Sequence, residues 1–205
     1  MSISAKTMRS RLKMIKPIIT TRSLKTIRRG QNMIGELTEH RYRELVIVKK
    51  HAFENFEGAW VIPRDERRRG VILYLHGGGY TCGKIEYAVG FGSMLAERFG
   101  ARVFCPAYRL APEDPFPAAV DDCLEAYLYL LSKGYSADRI TLCGESAGGG
   151  LCYSLCVKLR DLNMDMPCGI VAMSPWTDMT QSGASYKTNL EWTTVPRWLR
   201  RSMSW

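Results

Sequence analysis

Histidine is scarce in this chain of 205 residues: His40, His51 and His76 are the only three, and positions 77 to 205 carry none. Chemistry there that needs an imidazole has to borrow one of those three or lack it. No apolar run approaches the ~18 residues needed to cross a bilayer, which excludes a spanning helix, and the N-terminus lacks the continuous apolar core of a secretory leader. Among the seven cysteines (82, 105, 123, 143, 152, 156, 168) there is no C-x-x-C pair and the number is odd, which argues against a disulfide framework or a zinc ribbon. Those from Cys143 to Cys168 lie in apolar stretches typical of buried thiols, so a reducing, cytoplasmic setting is expected. Cys152 and Cys156 stand one helical turn apart without a histidine near them in sequence, a packed pair rather than metal ligands, and neither metal nor cofactor is expected. Internal repeats and low-complexity tracts are absent, which sets aside solenoid architectures.

Acids are rare at the start. Residues 1 to 50 hold 13 Lys and Arg against 3 Asp and Glu, whereas residues 51 to 190 hold 13 against 16, so the net charge of +9 belongs to the N-terminal segment. Clustered positive charge attracts polyanions, but no nucleic-acid motif or aromatic-basic interleaving accompanies it; a solvated helix face is expected and no nucleic-acid partner.

What is present fits one main domain, with 46% hydrophobic and 24% charged residues. Met8, Leu12, Ile15 and Ile19 recur at helical spacing, so residues 4 to 16 are expected to form a basic amphipathic helix that Pro17 disturbs. A weaker helical stretch runs from Ser23 to Leu37, interrupted by Gly30 and Gly35. Residues 1–39 are therefore expected to be a basic helical cap segment lying over the protein's own active site. Residues 40–189 form the core, with strands at 42–49, 59–62, 71–75, 102–105, 140–143 and 170–173 and helices at 86–99, 118–132 and 147–161. Alternating strands and helices, apolar where central, predict an α/β fold with a mostly parallel sheet covered on both faces. Residues 190–205 differ: Trp192, Trp198 and Trp205 alternate with Arg197, Arg200 and Arg201 without a strand or helix period. A truncated or frame-shifted end and an aromatic-basic binding tail both account for it.

The chemistry sits in two glycine motifs. Gly144-Glu145-Ser146-Ala147-Gly148 follows the apolar strand at 140–143 and opens a helix, the G-x-S-x-G arrangement in which a sharp turn presents a serine while flanking glycines let neighbouring backbones approach. His76-Gly77-Gly78-Gly79-Tyr80 follows another five-residue strand, and three glycines allow a loop whose amide hydrogens converge on a developing oxyanion. Each motif alone is weak; together, each after a strand and in this order, they are strong. In this arrangement the base is a histidine that follows the serine, and none does.

The chain resembles the hormone-sensitive-lipase-like esterases of the α/β-hydrolase fold, and among them the bacterial acetyl-esterase-like members. The resemblance rests on His76 to Tyr80, Tyr108-Arg109-Leu110-Ala111-Pro112-Glu113, Phe116-Pro117-Ala118-Ala119, Gly144 to Gly149, and Ser174-Pro175-Trp176-Thr177-Asp178, and spans about residues 40 to 189. It implies that Ser146 is the nucleophile, that the amides of Gly78, Gly79 and Ala147 form the oxyanion hole, and that His76 braces the glycine loop rather than taking the proton. Glu145 stands where relatives often carry Asp. Asp121, Asp122 and Asp178 are expected in structural hydrogen bonds or at helix ends, and Asp178 is not at the position of the triad acid. Relatives place the acid and the base after later strands, so the sequence is expected to be a C-terminally shortened version lacking the last strands.

Two functions follow as expectations. One is a serine carboxylesterase for small-molecule esters of short acyl chains, impaired here by the missing acid and base. The other is a non-catalytic binding protein that uses the basic N-terminus or the Trp/Arg tail. A strand at 170–173 without its outer neighbour is expected to leave an apolar edge open to homo-oligomer pairing.

Overall fold

A computed structural model describes residues 22–188. The amphipathic stretch at 4–16 and the tail at 190–205 lie outside the described residues. The larger compact unit covers Arg28–Thr177, and the described residues at 22–27 and 178–188 fall outside it.

The elements of the described chain are α1 (Leu24–Tyr42), β1 (Val46–Ala52), β2 (Glu57–Pro63), β3 (Val71–Leu75), α2 (Ile85–Phe99), β4 (Arg102–Ala107), α3 (Ala118–Ser132), a short 3-10 turn (Ala137–Arg139), β5 (Ile140–Glu145), α4 (Ala147–Asp161), β6 (Gly169–Met173) and α5 (Ala184–Thr188). The sheet runs β1-β2-β4-β3-β5-β6. Pairs β1/β2 and β2/β4 are antiparallel, and β4, β3, β5 and β6 run parallel, Leu75 opposite Gly144 and Glu145 opposite Met173. The expected α/β-hydrolase architecture is the observed one, with helices on both faces of a mostly parallel sheet.

Two apolar layers flank the sheet because its central strands are apolar along most of their length, with buried side chains on both faces. Leu73, Leu75, Phe104 and Leu142 point into a core with Ala126, Tyr127 and Leu130 of α3 and Leu151, Leu155 and Leu159 of α4. Tyr74, Ala59, Val61, Val103 and Cys105 point the other way, against Ile85, Ala88, Val89 and Leu95 of α2. Fully burying a Leu or Val side chain is worth about 1.5–3 kcal/mol, and these strands and helices contribute many of them. Cys105, Cys123, Cys143 and Cys152 are buried free thiols, Cys156 is half-buried, and Cys168 is exposed, contrary to the burial expected for it.

Helix α1 differs most from expectation. It does not end at Leu37 but continues through Tyr42, and the first strand begins at Val46 instead. The β-branched run Val46-Ile47-Val48 is what starts the strand. Gly35, which looks like an interruption, is the one buried residue of α1, and a Cβ there would collide with the backbone of Glu86 and Tyr87. Its lack of a side chain is what lets α1 lie against α2.

At the far edge, β6 pairs with β5 on one side and with no strand on the other among the described residues, and Val171 and Met173 are exposed. Outside the larger unit, Asp178 accepts from the amides and hydroxyls of Thr180 and Ser182 at 2.5–2.9 Å. Those donors hold its carboxyl down at about 2.

Candidate active site

Ser146 occupies the single residue between the end of β5 and the first residue of α4, at φ 53° and ψ −116°. A serine at positive φ is strained, by about 1–3 kcal/mol, and persists only where the surroundings over-determine it. Three backbone bonds do so: Ser146 N–H donates to Met173 O at 3.0 Å, while Ser146 O accepts from Trp176 N at 2.8 Å and Gly150 N at 3.1 Å. The residue is exposed although Ala147 and Gly148 beside it are buried. Gly148 lies so close to the end of β3 that a Cβ would overlap Leu75 O and come within 2.6 Å of His76 O. The turn is thereby pressed against the residue that opens the glycine loop.

That loop is clamped at both ends. Gly77 N–H donates to Glu145 Oε1 at 2.6 Å. Gly77 O accepts from Gln31 Nε2 of α1 at 3.0 Å and from the His76 ring at 3.0 Å. Four residues on, Arg28 Nε donates to Thr81 O at 2.6 Å. The same guanidinium donates to Ala111 O at 3.0 Å and forms a fork on Glu113 with two contacts of 2.7 Å. Between the clamps Gly78 and Gly79 take φ of 137° and 63°, which side-chain-bearing residues rarely adopt. The amides of Gly78, Gly79 and Ala147 donate to no acceptor among the described residues.

Glu145 does more than substitute for an Asp. Besides Gly77 it accepts from Tyr74 Oη at 2.8 Å and Tyr87 Oη at 3.1 Å. Burial holds its pKa above the ordinary carboxylate value, against the pull of the Gly77 amide and the two phenols. The residue just before the serine therefore ties β5 to the first peptide of the glycine loop.

The three histidines are all accounted for elsewhere. His76 is fully buried, stacked on Tyr108 at 4.1 Å between ring centroids, and Tyr108 Oη donates to His76 O at 2.5 Å. Since Gly77 O can only accept, Nδ1 carries the ring proton, and Nε2 has no partner. Burial pushes its pKa down to about 4, so the ring stays neutral. His51 stacks on Tyr129 at 4.2 Å on β1, four strands from β5, about 19 Å at the usual strand spacing. His40 lies exposed on α1 beside Arg43. None hydrogen-bonds Ser146.

Nearby carboxylates are structural. Asp122, 1% exposed, accepts from the Arg109 amide at 2.7 Å and from its guanidinium at 2.7–3.1 Å. Asp121 pairs with Lys158 on the surface. No group of three or more His, Cys, Asp or Glu among the described residues is placed to hold a metal ion.

The family model of the alpha/beta hydrolase fold matches residues 72–205. The chain belongs to that family. The chain is 43% identical over 129 residues to an acetyl-hydrolase of Streptomyces hygroscopicus, covering 63% of the chain and 43% of the relative. It is 33% identical over 144 residues to human hormone-sensitive lipase, covering 68% of the chain and 13% of that protein. A solved hormone-sensitive lipase from a metagenome library superposes with TM-score 0.85 at 32% identity, over 98% of this chain and 68% of that one. An esterase of the bacterial hormone-sensitive lipase family gives 0.78 at 32%, over 99% and 68%. By family the chain is hormone-sensitive-lipase-like, and it spans about two fifths of the length of its Streptomyces relative. No helix among the described residues is long and apolar enough to cross a membrane.

Sequence reasoning did not find Arg28, Gln31, Tyr74, Tyr87 or the clamping role of Glu145. The one available signal was an ionisable residue inside an otherwise small-residue turn, a costly thing to bury without partners.

Proposed function

We propose that this chain hydrolyses carboxylic esters with Ser146 as nucleophile, the amides of Gly78, Gly79 and Ala147 as oxyanion donors, and His76 and Glu145 as braces of the glycine loop. The observation that carries the reading is an exposed serine on a strained turn whose Gly148 packs on the carbonyls where the glycine loop begins. Ser146 Oγ would attack the ester carbonyl while its proton passes to solvent water, the carbonyl oxygen would gather negative charge under the amides, and the leaving oxygen would take a proton from water as the alcohol departs. Water would then hydrolyse the acyl-enzyme. Each oxyanion donor is worth about 2.7–4 kcal/mol, because it is aimed in advance at charge that exists only in the transition state.

The proton acceptor is none of the three histidines. His76 is committed to Gly77 O and basic only near pH 4, and His40 and His51 are engaged elsewhere. The 205 residues should accordingly turn over slowly, at a residual 10³ to 10⁴ over water of the order seen when a triad member is lost. The acyl chains are short, a reading supported by the acetyl-hydrolase relative and by a similar solved esterase soaked with p-nitrophenyl butyrate.

The test is hydrolysis of nitrophenyl acetate, butyrate and laurate with added free imidazole as a surrogate base. Imidazole should raise the rate of the native chain above that of Ser146→Ala, for acetate and butyrate more than laurate. Equal rates for the two proteins at every imidazole concentration would remove Ser146 from the chemistry.

A further inference from the structure

A cavity lies at the opposite end of the parallel strands from Ser146. Lys49 of β1, Arg69 just before β3, Arg102 at the start of β4, Lys133 at the end of α3 and Arg139 just before β5 line a space of about 580 Å³. Its remaining walls are Trp60, Ile62, Gly134 and Tyr135. Arg139 precedes Ser146 by seven positions along β5, so at about 3.3 Å per residue the two sites stand roughly 20 Å apart. A substrate of the serine cannot reach this cavity.

The cations converge from five separate places in the chain, so their meeting is a product of the fold. By linear sequence the body of the protein is nearly neutral; here five positive side chains share one concave wall. One acid enters the balance: Glu66 accepts from Arg102 at 2.9 and 3.0 Å and holds that half-buried guanidinium in place. Lys133 Nζ sits 5.0 Å from the centre of the Tyr129 ring. Lys49, Arg69 and Arg139 are exposed and form no ion pair among the described residues. Like charges held together repel one another, and a concave wall of one sign concentrates the opposite ion. Guanidinium and ammonium groups on several sides suit the tetrahedral oxygens of a phosphate, and more than one phosphate is needed to balance them.

The apolar part of the wall specifies more. Trp60 and Tyr135 are half-buried and near-parallel, with ring centres 6.0 Å apart and 28° between planes. Trp60 Nε1 is already engaged, donating to Tyr129 Oη at 3.1 Å, so the indole offers carbon surface rather than a donor. Such surface favours a planar ring over a bare inorganic anion.

We infer that this cavity binds a small polyphosphate carrying an aromatic ring, of the nucleoside diphosphate class, independently of the serine site.

The experiment is calorimetric titration of the full chain with adenosine diphosphate in 50 mM salt. A micromolar Kd is expected, with pyrophosphate at least fivefold weaker and adenosine without measurable heat. Raising the salt to 300 mM should weaken the diphosphate at least tenfold. The double variant Lys49→Glu with Lys133→Glu should raise the Kd at least tenfold. Lys50→Glu serves as comparison because successive residues of a strand face opposite sides of the sheet; it should stay within twofold. Absence of heat from the diphosphate overturns the proposal, as does Lys50→Glu weakening it as much as the double variant. Vesicles of phosphatidylserine and phosphatidylcholine that capture the protein undisturbed by the diphosphate would make this a membrane-facing surface and overturn it equally.

Discussion

The two ends of the parallel strands use polar groups in opposite ways. At the carboxyl end, around Ser146, most charged groups are engaged by hydrogen bonds: Glu145 takes three donors, Asp122 takes an amide and a guanidinium, and Gly77 is held through both its N–H and its carbonyl. At the amino end, around Arg69 and Arg139, charges stay exposed and largely unpaired. One end positions atoms; the other creates a field. Substitutions at the carboxyl end should therefore disturb folding and chemistry, while those at the amino end should leave stability alone and change only what binds.

The largest effect is expected at Gly148. A Val there would drive its side chain into the carbonyls of Leu75 and His76, backbone that cannot rotate away, and should cost above ~5 kcal/mol. The measurement is the urea midpoint, or loss of folded protein altogether; an unchanged midpoint would show that the turn is not pressed on the glycine loop.

Next comes Asp122→Ala, which leaves the Arg109 guanidinium and amide facing a buried gap and should destabilise by about 3–5 kcal/mol. Its neighbour Asp121, paired on the surface with Lys158, should cost less than about 1 kcal/mol on the same substitution. Similar values for the two would erase the distinction between a buried pair and a solvated one.

His76 supplies the pH arm. The unfolded chain protonates this ring near pH 6.5 and the folded chain only near 4, so between those values the unfolded state binds the extra proton and acid favours unfolding. Stability from this group is complete above pH 6.5 and falls by about 3 kcal/mol by pH 4. His76→Phe keeps a ring against Tyr108 and should flatten that limb in melting curves taken across the interval. A limb unchanged in the variant would assign the acid sensitivity elsewhere.

Glu145→Gln should act on rate more than on stability. It keeps the shape but removes the charge that accepts from Gly77, so imidazole-assisted hydrolysis should fall about tenfold while the melting temperature moves by a few degrees. An undiminished rate would mean that the glycine loop holds its form without the charge. Smallest of all, Lys49→Glu should change stability by no more than about 0.5 kcal/mol in chemical denaturation. A larger loss would mean that the amino end is structural after all.

Much of this was legible beforehand. Helices α3 and α4 begin and end where their patterns say, because apolar periodicity and the surrounding turn residues agree. The serine turn and the glycine loop were visible because their geometry demands small residues that composition rarely groups together. Helix α1 was misjudged because Gly30 and Gly35 weaken its intrinsic propensity, and a contact with Glu86 and Tyr87, far away in the chain, outweighs that weakness. The basic cavity was invisible because charge summed along the chain cancels, whereas charge summed over one end of a sheet does not.

The order of residues by itself determined the alternation of strands and helices, the strained serine between β5 and α4, and the absence of any imidazole after it, since each is a local or compositional property. Tertiary structure alone decided that Glu145 and Gln31 grip the same residue of the glycine loop from its two sides, that His76 is locked and neutral, and that five distant cations face one cavity. Those facts depend on which strands become neighbours, and neighbourhood in a crossover sheet is set by packing both faces at once, a condition that no segment can satisfy alone.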